Sequence, residues 1–168
     1  MPLSMYQASA PVFLRQFAAL SELLKKGEAF AAEKGMDPAE MLKVTLAPDM
    51  FALPRQIQIA TDGAKGGIAR LAGVEVPGFP DTEATFAELQ DRIAKTVAFI
   101  KSIPADKVDG SEEKEIVLKI AGQDMTFQGQ AYLLHFVLPN FFFHVTTAYA
   151  LLRHQGVQIG KRDYLGAA

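Results

Sequence analysis

Cysteine is absent from this chain of 168 residues. Its absence excludes disulfide bonds, catalytic thiolates and every metal site that depends on cysteine ligands. An excess of charge of one sign is also lacking, since 17 Lys and Arg residues are balanced by 19 Asp and Glu residues. A chain without a basic surplus does not attract phosphate backbones over long range, so we expect no nucleic-acid partner.

The N-terminus has neither a basic start nor a continuous apolar stretch of signal-peptide length. We therefore expect a cytoplasmic protein. The composition itself is that of a globular protein, with 49% apolar and 21% charged residues. Its length is typical of one domain, so we predict a single domain over residues 1–168.

Three segments have apolar residues at the alternating three- and four-residue spacing of an amphipathic helix: residues 4–34, 49–72 and 81–102. In the first, Pro11 indicates either a regular start near Ser9 or a bend in a helix that begins at Ser4. A short additional helix is predicted to follow Asp37.

The second predicted helix has two unusual features. Asp49 is a suitable cap, which places Pro54 deep enough to bend the helix rather than start it. The glycine-rich residues 62–67 lack the Lys-Ser or Lys-Thr pair of a phosphate-binding loop and follow no strand. We interpret these small residues as a site of close helix packing.

From residue 115 to 127 the apolar period shortens to two, which predicts a β-hairpin with its turn at residues 121–124. The following helix, residues 129–155, is expected to bend at Pro139 and to end at Gly156. These elements predict an all-α fold, an antiparallel four-helix bundle with a short β-hairpin before the last helix.

The most apolar part of the last helix, residues 132–152, is long enough to cross a bilayer. Polar side chains that face lipid are costly, however, and this stretch contains several: His135, Asn140, His144, Thr146 and Thr147. We therefore interpret it as a central bundle helix and expect no membrane partner.

The three histidines, His135, His144 and His154, are nine and ten residues apart. At about 100° per residue their side chains point to different faces of one helix, so they cannot bind one ion together. The spacing therefore predicts no metal site made by the last helix alone.

Asn140, His144 and Thr147 share one face of the last helix. If this face points into the bundle, it can meet Gln56 of the second helix, or Tyr6 near the start of the first, and line a small polar cavity. These five residues are the predicted ligand pocket. The alternative interpretation is a hydrogen-bonded core network.

The sequence PNFFFHVTTAY at 139–149, followed by LRHQG at 152–156, resembles the last helix of the DinB-like superfamily. Together with SMYQAS at 4–9, LAPDM at 46–50 and GKRD at 160–163, it resembles the uncharacterised, domain-of-unknown-function branch of that superfamily. The closer resemblance spans nearly the whole chain and implies a four-helix bundle, often dimeric.

Many DinB-like proteins hold a divalent metal with one histidine on the second helix and two, four residues apart, on the last. His144 matches the later of that pair, whereas Asn140 occupies the earlier position and the second helix has no histidine. The comparison implies the remnant of a metal site, with no resident metal and no cofactor.

The resulting prediction is a DinB-like bundle that binds a small molecule or serves as a dimeric interaction module. A net charge of −2 and a mean hydropathy of +0.11 favour additional buried surface, hence a homodimer. The alternative is a thiol-dependent transferase or isomerase-like enzyme with a vestigial or non-standard metal site around His144, in which Asp49 or Gln56 supports a weakly held ion. No catalytic residue is assigned.

Overall fold

The computed structural model describes residues 3–120 and 122–166. Four long helices form a bundle: α1 (Ala10–Lys34), α3 (Leu53–Ala72), α4 (Phe86–Ser102) and α7 (Leu138–His154). The shorter helices are α2 (Pro38–Lys43), α5 (Ala105–Val108), α6 (Gly129–Ala131) and α8 (Lys161–Leu165). Strands β1 (Glu115–Ile120) and β2 (Gln123–Gln128) pair antiparallel just before α6. The predicted four-helix bundle with a hairpin before its last helix is confirmed.

The directions of the four long helices depend on the long connection between α3 and α4. Arg92 in the first half of α4 bonds Thr61 and Asp62 near the middle of α3. Lys114, which follows α4 and α5, donates to the carbonyl of Leu71 at the end of α3. The two helices therefore run in the same direction. The neighbouring pairs α1 with α4 and α3 with α7 run antiparallel. A connection of about 13 extended residues reaches roughly 40 Å, enough to return along a helix of about 30 Å.

Two helix starts differ from the sequence predictions. Ala52, not Asp49, precedes α3, and Pro54 lies in its first turn, where the missing N–H of proline costs no hydrogen bond. Pro54 therefore starts the helix rather than bending it. Thr85 caps α4 together with Glu88 in a capping box, which places the capping residue four positions beyond Asp81.

Other helix ends agree with the sequence. Of the alternatives left open for the first helix, the structure has a regular start at Ala10 with Pro11 in the first turn. Gly35 and Gly73 end α1 and α3 with positive φ angles of 63° and 72°, which glycine adopts without steric cost.

The core lies between the four long helices, on the faces that the apolar spacing predicts. Phe13, Phe17 and Phe141 are fully buried, and the ring of Phe141 meets the other two edge to face at 5.1 and 5.2 Å. A β-carbon at Gly67 would lie 2.7 Å from a methyl group of Val137, so glycine permits the close approach of α3 to the last helix.

A π-helical stretch, Tyr132–Val137, joins α6 to α7 just before Pro139. Proline has no N–H to donate, and its ring crowds the carbonyl of the preceding turn, which a wider turn relieves. Within the described residues, no helix combines the length and apolarity needed to cross a membrane.

Candidate binding site around His144

His144 of α7 is bonded to Gln56 in the first turn of α3. Nδ1 of His144 lies 2.7 Å from Oε1 of Gln56, and Nε2 of Gln56 donates to the carbonyl oxygen of Phe51 at 2.9 Å. Both side chains are buried, Gln56 at 2% and His144 at 8% exposure. The start of α3 and the middle of α7 are thus joined through one glutamine amide.

This chain of hydrogen bonds fixes the position of the imidazole proton. The carbonyl of Phe51 can only accept, so the Gln56 amide nitrogen faces it and the amide oxygen faces His144. Nδ1 of His144 must then carry the proton, which leaves a lone pair on Nε2. Within the described part of the chain Nε2 has no hydrogen-bond partner, and it is not among the fully enclosed polar atoms.

The surroundings of His144 favour the neutral imidazole. Burial lowers the pKa of His144 below its ordinary value, and the positive charge of Arg55 lowers it further. At neutral pH the ring therefore presents an uncharged acceptor at Nε2 and a fixed donor at Nδ1.

This lowered pKa predicts a loss of stability in mild acid. The unfolded chain binds a proton at His144 from about pH 6.5 downward, whereas the folded chain resists protonation until the pH reaches its lower folded pKa. Across that window the free energy of unfolding should fall as the pH falls. In urea titrations between pH 7.5 and about 5, the wild type should lose more stability than His144→Gln; parallel curves would contradict this.

Two exposed aromatic side chains lie next to this pair. The ring of Phe143, 58% exposed, meets the His144 ring edge-on at 5.1 Å between centroids. Phe51 is 55% exposed, with the guanidinium of Arg55 5.8 Å from its ring centre. Arg55 also pairs with Asp81. We call Phe51, Arg55, Phe143 and His144 the His144 patch.

Asn140 and Thr147 lie on the same side of α7 but do not bond His144. The Asn140 amide nitrogen lies by Gly63, 3.5 Å from where a β-carbon would stand. The hydroxyl of Thr147 donates to the backbone carbonyl of Phe143 at 2.7 Å. Asn140 is therefore a neighbour of α3, whereas Thr147 uses its hydrogen bond within α7.

Tyr6 is placed away from the other predicted pocket residues. Its backbone N–H donates to Asp109, which follows α5 at the end of the bundle where α4 ends, whereas Gln56 lies at the opposite end, where α3 begins. The structure thus brings Gln56 to His144 and separates Tyr6 from both. The sequence could not decide between these two contacts because it does not show at which end residues 4–9 pack.

The donors around His144 do not fit the metal site of DinB-like proteins. His144 can supply one ligand, Nε2, but the side chain that faces it is Gln56, whose amide oxygen is already engaged with Nδ1, and no second histidine stands beside it. Asp49 lies in the turn before α3 and not on it. Across residues 3–120 and 122–166, no three His, Asp or Glu side chains converge as a metal-binding group.

A second polar cluster lies on the opposite side of α3 and was not predicted from the sequence. Arg92 is 2% exposed, and its guanidinium is held by four hydrogen bonds and an additional ion pair. The acceptors are Thr61 Oγ1, Asp62 Oδ1, Pro80 O and Glu83 Oε1, at 2.7–3.0 Å, and Asp81 Oδ1 lies 3.0 Å from Nη2 as an ion-pair partner. The signal in the sequence was an arginine at a core position of the third helix, next to Ile93.

Comparison with known proteins agrees with this fold. A solved structure described as a DinB family member protein from Shewanella denitrificans is 37% identical, with a TM-score of 0.89, covering 97% of this chain and 92% of that one. No curated protein matches the chain. The family described as a domain of unknown function, DUF1993, matches residues 5–165. The chain therefore belongs to the DUF1993 family and has the fold of a DinB family member.

Proposed function

We propose that this protein binds a small molecule at the His144 patch, with Nε2 of His144 as the acceptor that orients the ligand. The observation that carries the proposal is the free lone pair of Nε2, on a ring whose other nitrogen is fixed by Gln56. In small-molecule sites a few fixed polar groups among apolar side chains orient the ligand, and Nε2 beside the rings of Phe51 and Phe143 offers that combination.

The chemistry of the patch defines the class of ligand. Phe51 and Phe143 offer apolar surface, and a neutral Nε2 accepts a hydrogen bond from an O–H or N–H group. Arg55 is already paired with Asp81, so a carboxylate is not required for charge balance. The ligand class is therefore a small aromatic or apolar molecule that carries one hydrogen-bond donor.

Phenol and anisole provide a matched pair of probes, because anisole has a similar shape and no donor. Phenol should bind at millimolar concentration and shift the ¹⁵N resonance of His144 Nε2. Anisole should bind about five- to tenfold more weakly, as expected when one hydrogen bond of about 1 kcal/mol is lost. The titrations follow imidazole ¹⁵N resonances, which also report whether Nδ1 carries the proton.

Two histidine variants distinguish binding at the His144 patch from binding at the other histidines. His144→Gln should abolish the preference for phenol over anisole, while His135→Gln, which changes an exposed histidine earlier in the last helix, should keep it. Equal binding of the two probes by the wild type, or an unchanged preference in His144→Gln, would contradict the proposed role of Nε2.

The metal-dependent form of the enzyme alternative needs an ion near His144, and the donors there argue against it. One imidazole nitrogen with amide oxygens is a poor set for zinc, nickel or manganese. We therefore expect no stoichiometric binding in titrations of the wild type with these ions. Stoichiometric binding that His144→Ala abolishes would favour the alternative instead.

We also propose that the chain forms a homodimer. A net charge of −2 opposes association only weakly, and large apolar side chains outside the His144 patch are more than half exposed, among them Leu3 and Val117. Sedimentation velocity at micromolar concentration tests this directly, because a monomer at about 100 μM would exclude a stable dimer.

A further inference from the structure

A cavity outside the His144 patch lies between α1 and α8. Its volume is about 710 Å³, and small-molecule sites typically have roughly 300–1,000 Å³. The apolar part of its lining consists of Ala18 and Ala19 of α1 and of Leu165 and Gly166 at the end of α8. Gly166 has a φ angle of 75°, and a β-carbon there would lie 3.3 Å from that of Ala19. Because most of these residues are small, the space between the two helices stays open.

The wall that α8 forms is fixed to the bundle by three polar contacts. Nε2 of Gln16 donates to the carbonyl oxygen of Tyr164 at 3.0 Å, and the Tyr164 hydroxyl accepts from Thr146 at 3.0 Å. Lys26 of α1 pairs with Asp163 of α8. The cavity is therefore preorganised, and a ligand does not have to order α8 in order to bind.

Two exposed arginines, Arg15 of α1 and Arg162 of α8, line this cavity. Among residues 3–120 and 122–166, no carboxylate pairs with either guanidinium. The carboxylates that also line the cavity are engaged, Asp163 as described above and Glu22 with Lys25 at 2.6 Å. The two guanidiniums therefore bring charged donors to the cavity for which the described residues supply no acceptor.

We propose that this cavity binds a small carboxylate that has an apolar chain. A planar guanidinium can donate two parallel hydrogen bonds to a carboxylate, and Arg15 and Arg162 provide such donors beside an apolar lining. A phosphate dianion fits less well, because Glu22 and Asp163 also line the cavity and repel a double charge more strongly than a single one.

The carboxylate site is separate from the His144 patch. Thr146, which bonds Tyr164 of α8, is two residues beyond His144, so its side chain points about 200° around α7 from the histidine. The ligand chemistry also differs, since Nε2 of His144 selects a hydrogen-bond donor and the guanidiniums select an anion. Binding of a carboxylate here is therefore independent of the ligand proposed for His144.

Hexanoate and methyl hexanoate form a matched pair of probes, since the ester has the same chain and no charge. Hexanoate should bind at millimolar concentration and shift the backbone amide resonances of Ala18, Ala19 and Gly166. Methyl hexanoate should bind about tenfold more weakly, because it cannot accept charge-assisted hydrogen bonds. Since these amides belong to the cavity lining, their shifts distinguish this site from the His144 patch, whether or not that patch binds phenol.

Arg15→Gln and Arg162→Gln should each raise the dissociation constant for hexanoate about three- to fivefold, and the double variant should bind both probes equally. The constant for methyl hexanoate should stay unchanged. Arg153→Gln is the matched control, since it removes the same charge at an exposed position of α7 that does not line the cavity. Ala18→Leu, which adds a large side chain to the lining, should weaken the binding of both probes.

Circular dichroism checks that these variants, which alter exposed side chains, keep the fold. Equal binding of the two probes by the wild type, or shifts that do not include Ala18, Ala19 and Gly166, would overturn the carboxylate site. The site would also be overturned if Arg153→Gln weakened hexanoate binding as much as the two cavity variants, because general positive charge would then explain the binding.

Discussion

Replacing Arg92 by methionine is expected to lower the free energy of unfolding by about 3 kcal/mol, near the lower end of the range for breaking a buried ion pair. The guanidinium is almost fully buried, and its loss removes four hydrogen bonds and the ion pair with Asp81. Asp62 and Asp81 remain about 40% exposed and keep contact with water, whereas Glu83 is 11% exposed and loses its cation. Urea unfolding at pH 7 measures the change.

The same variant should change the titration of Glu83. Burial acts to raise the pKa of Glu83, but hydrogen bonds from Arg92 and Gln58 and the positive charge of Arg92 hold it below its ordinary value. Without Arg92 the burial remains and the compensation is lost, so the pKa of Glu83 should rise. Side-chain carboxyl resonances followed by NMR between pH 3 and 7 report this directly.

Arg55→Met is the control for the Arg92 variant. Arg55 pairs with Asp81 of the same cluster, but 44% of its side chain is exposed. A pair of this kind is expected to contribute no more than about 1 kcal/mol. If the two variants lose similar stability, the burial of Arg92 and its four hydrogen bonds do not explain its contribution to the free energy of unfolding.

The long helices could be predicted because their apolar spacing records which face is buried. Leu53, Ile57 and Ile68 of α3 are fully buried, as the three- and four-residue spacing indicates. The starts of the helices are harder to predict, because a proline near the beginning of an apolar pattern fits both the first turn of a helix and a bend within it. Asp81 illustrates the difficulty: it has the chemistry of a cap, yet Arg92 uses its carboxylate as an acceptor.

The direction of α4 could not be predicted from spacing at all. The apolar pattern of an amphipathic helix is the same in either direction along the bundle. Whether α3 and α4 run parallel therefore depends on the distance that the connection at residues 73–85 can span. Contacts that fix it, such as Arg92 with Asp62, are polar and far apart in sequence. Only the structure brings them together.

The candidate site was predictable in part. Helical spacing placed Asn140, His144 and Thr147 on one face, and Gln56 was one of two groups expected to meet them. The proton on Nδ1 could not be foreseen, because it depends on the backbone carbonyl of Phe51, a group without any side-chain signature. The exposure of the Phe51 and Phe143 rings could not be predicted either, since an apolar residue in a predicted helix is normally expected to be buried.

The junction between β2 and α6 should be the position least tolerant of a single added methyl group. A β-carbon at Gly129 would overlap the backbone carbonyl oxygen of Ser111 and lie 3.3 Å from a methyl group of Leu71. The two backbones cannot separate freely, because the N–H of Gln130 donates to the carbonyl of Glu112 at 2.9 Å. We expect Gly129→Ala to lower the free energy of unfolding by about 3 kcal/mol, as for severe overpacking.

Gly78→Ala is the matched control, since no heavy atom of the described residues lies within 4 Å of its added β-carbon and its φ angle is not positive. Its effect should stay within about 0.5 kcal/mol in the same urea titration. The clash acts on backbone atoms, so no rotamer change can relieve it, and the hairpin must move relative to α3. If Gly129→Ala lowers the free energy of unfolding as little as Gly78→Ala does, the backbones at this junction can move apart at little cost. The junction then does not hold the hairpin against the bundle.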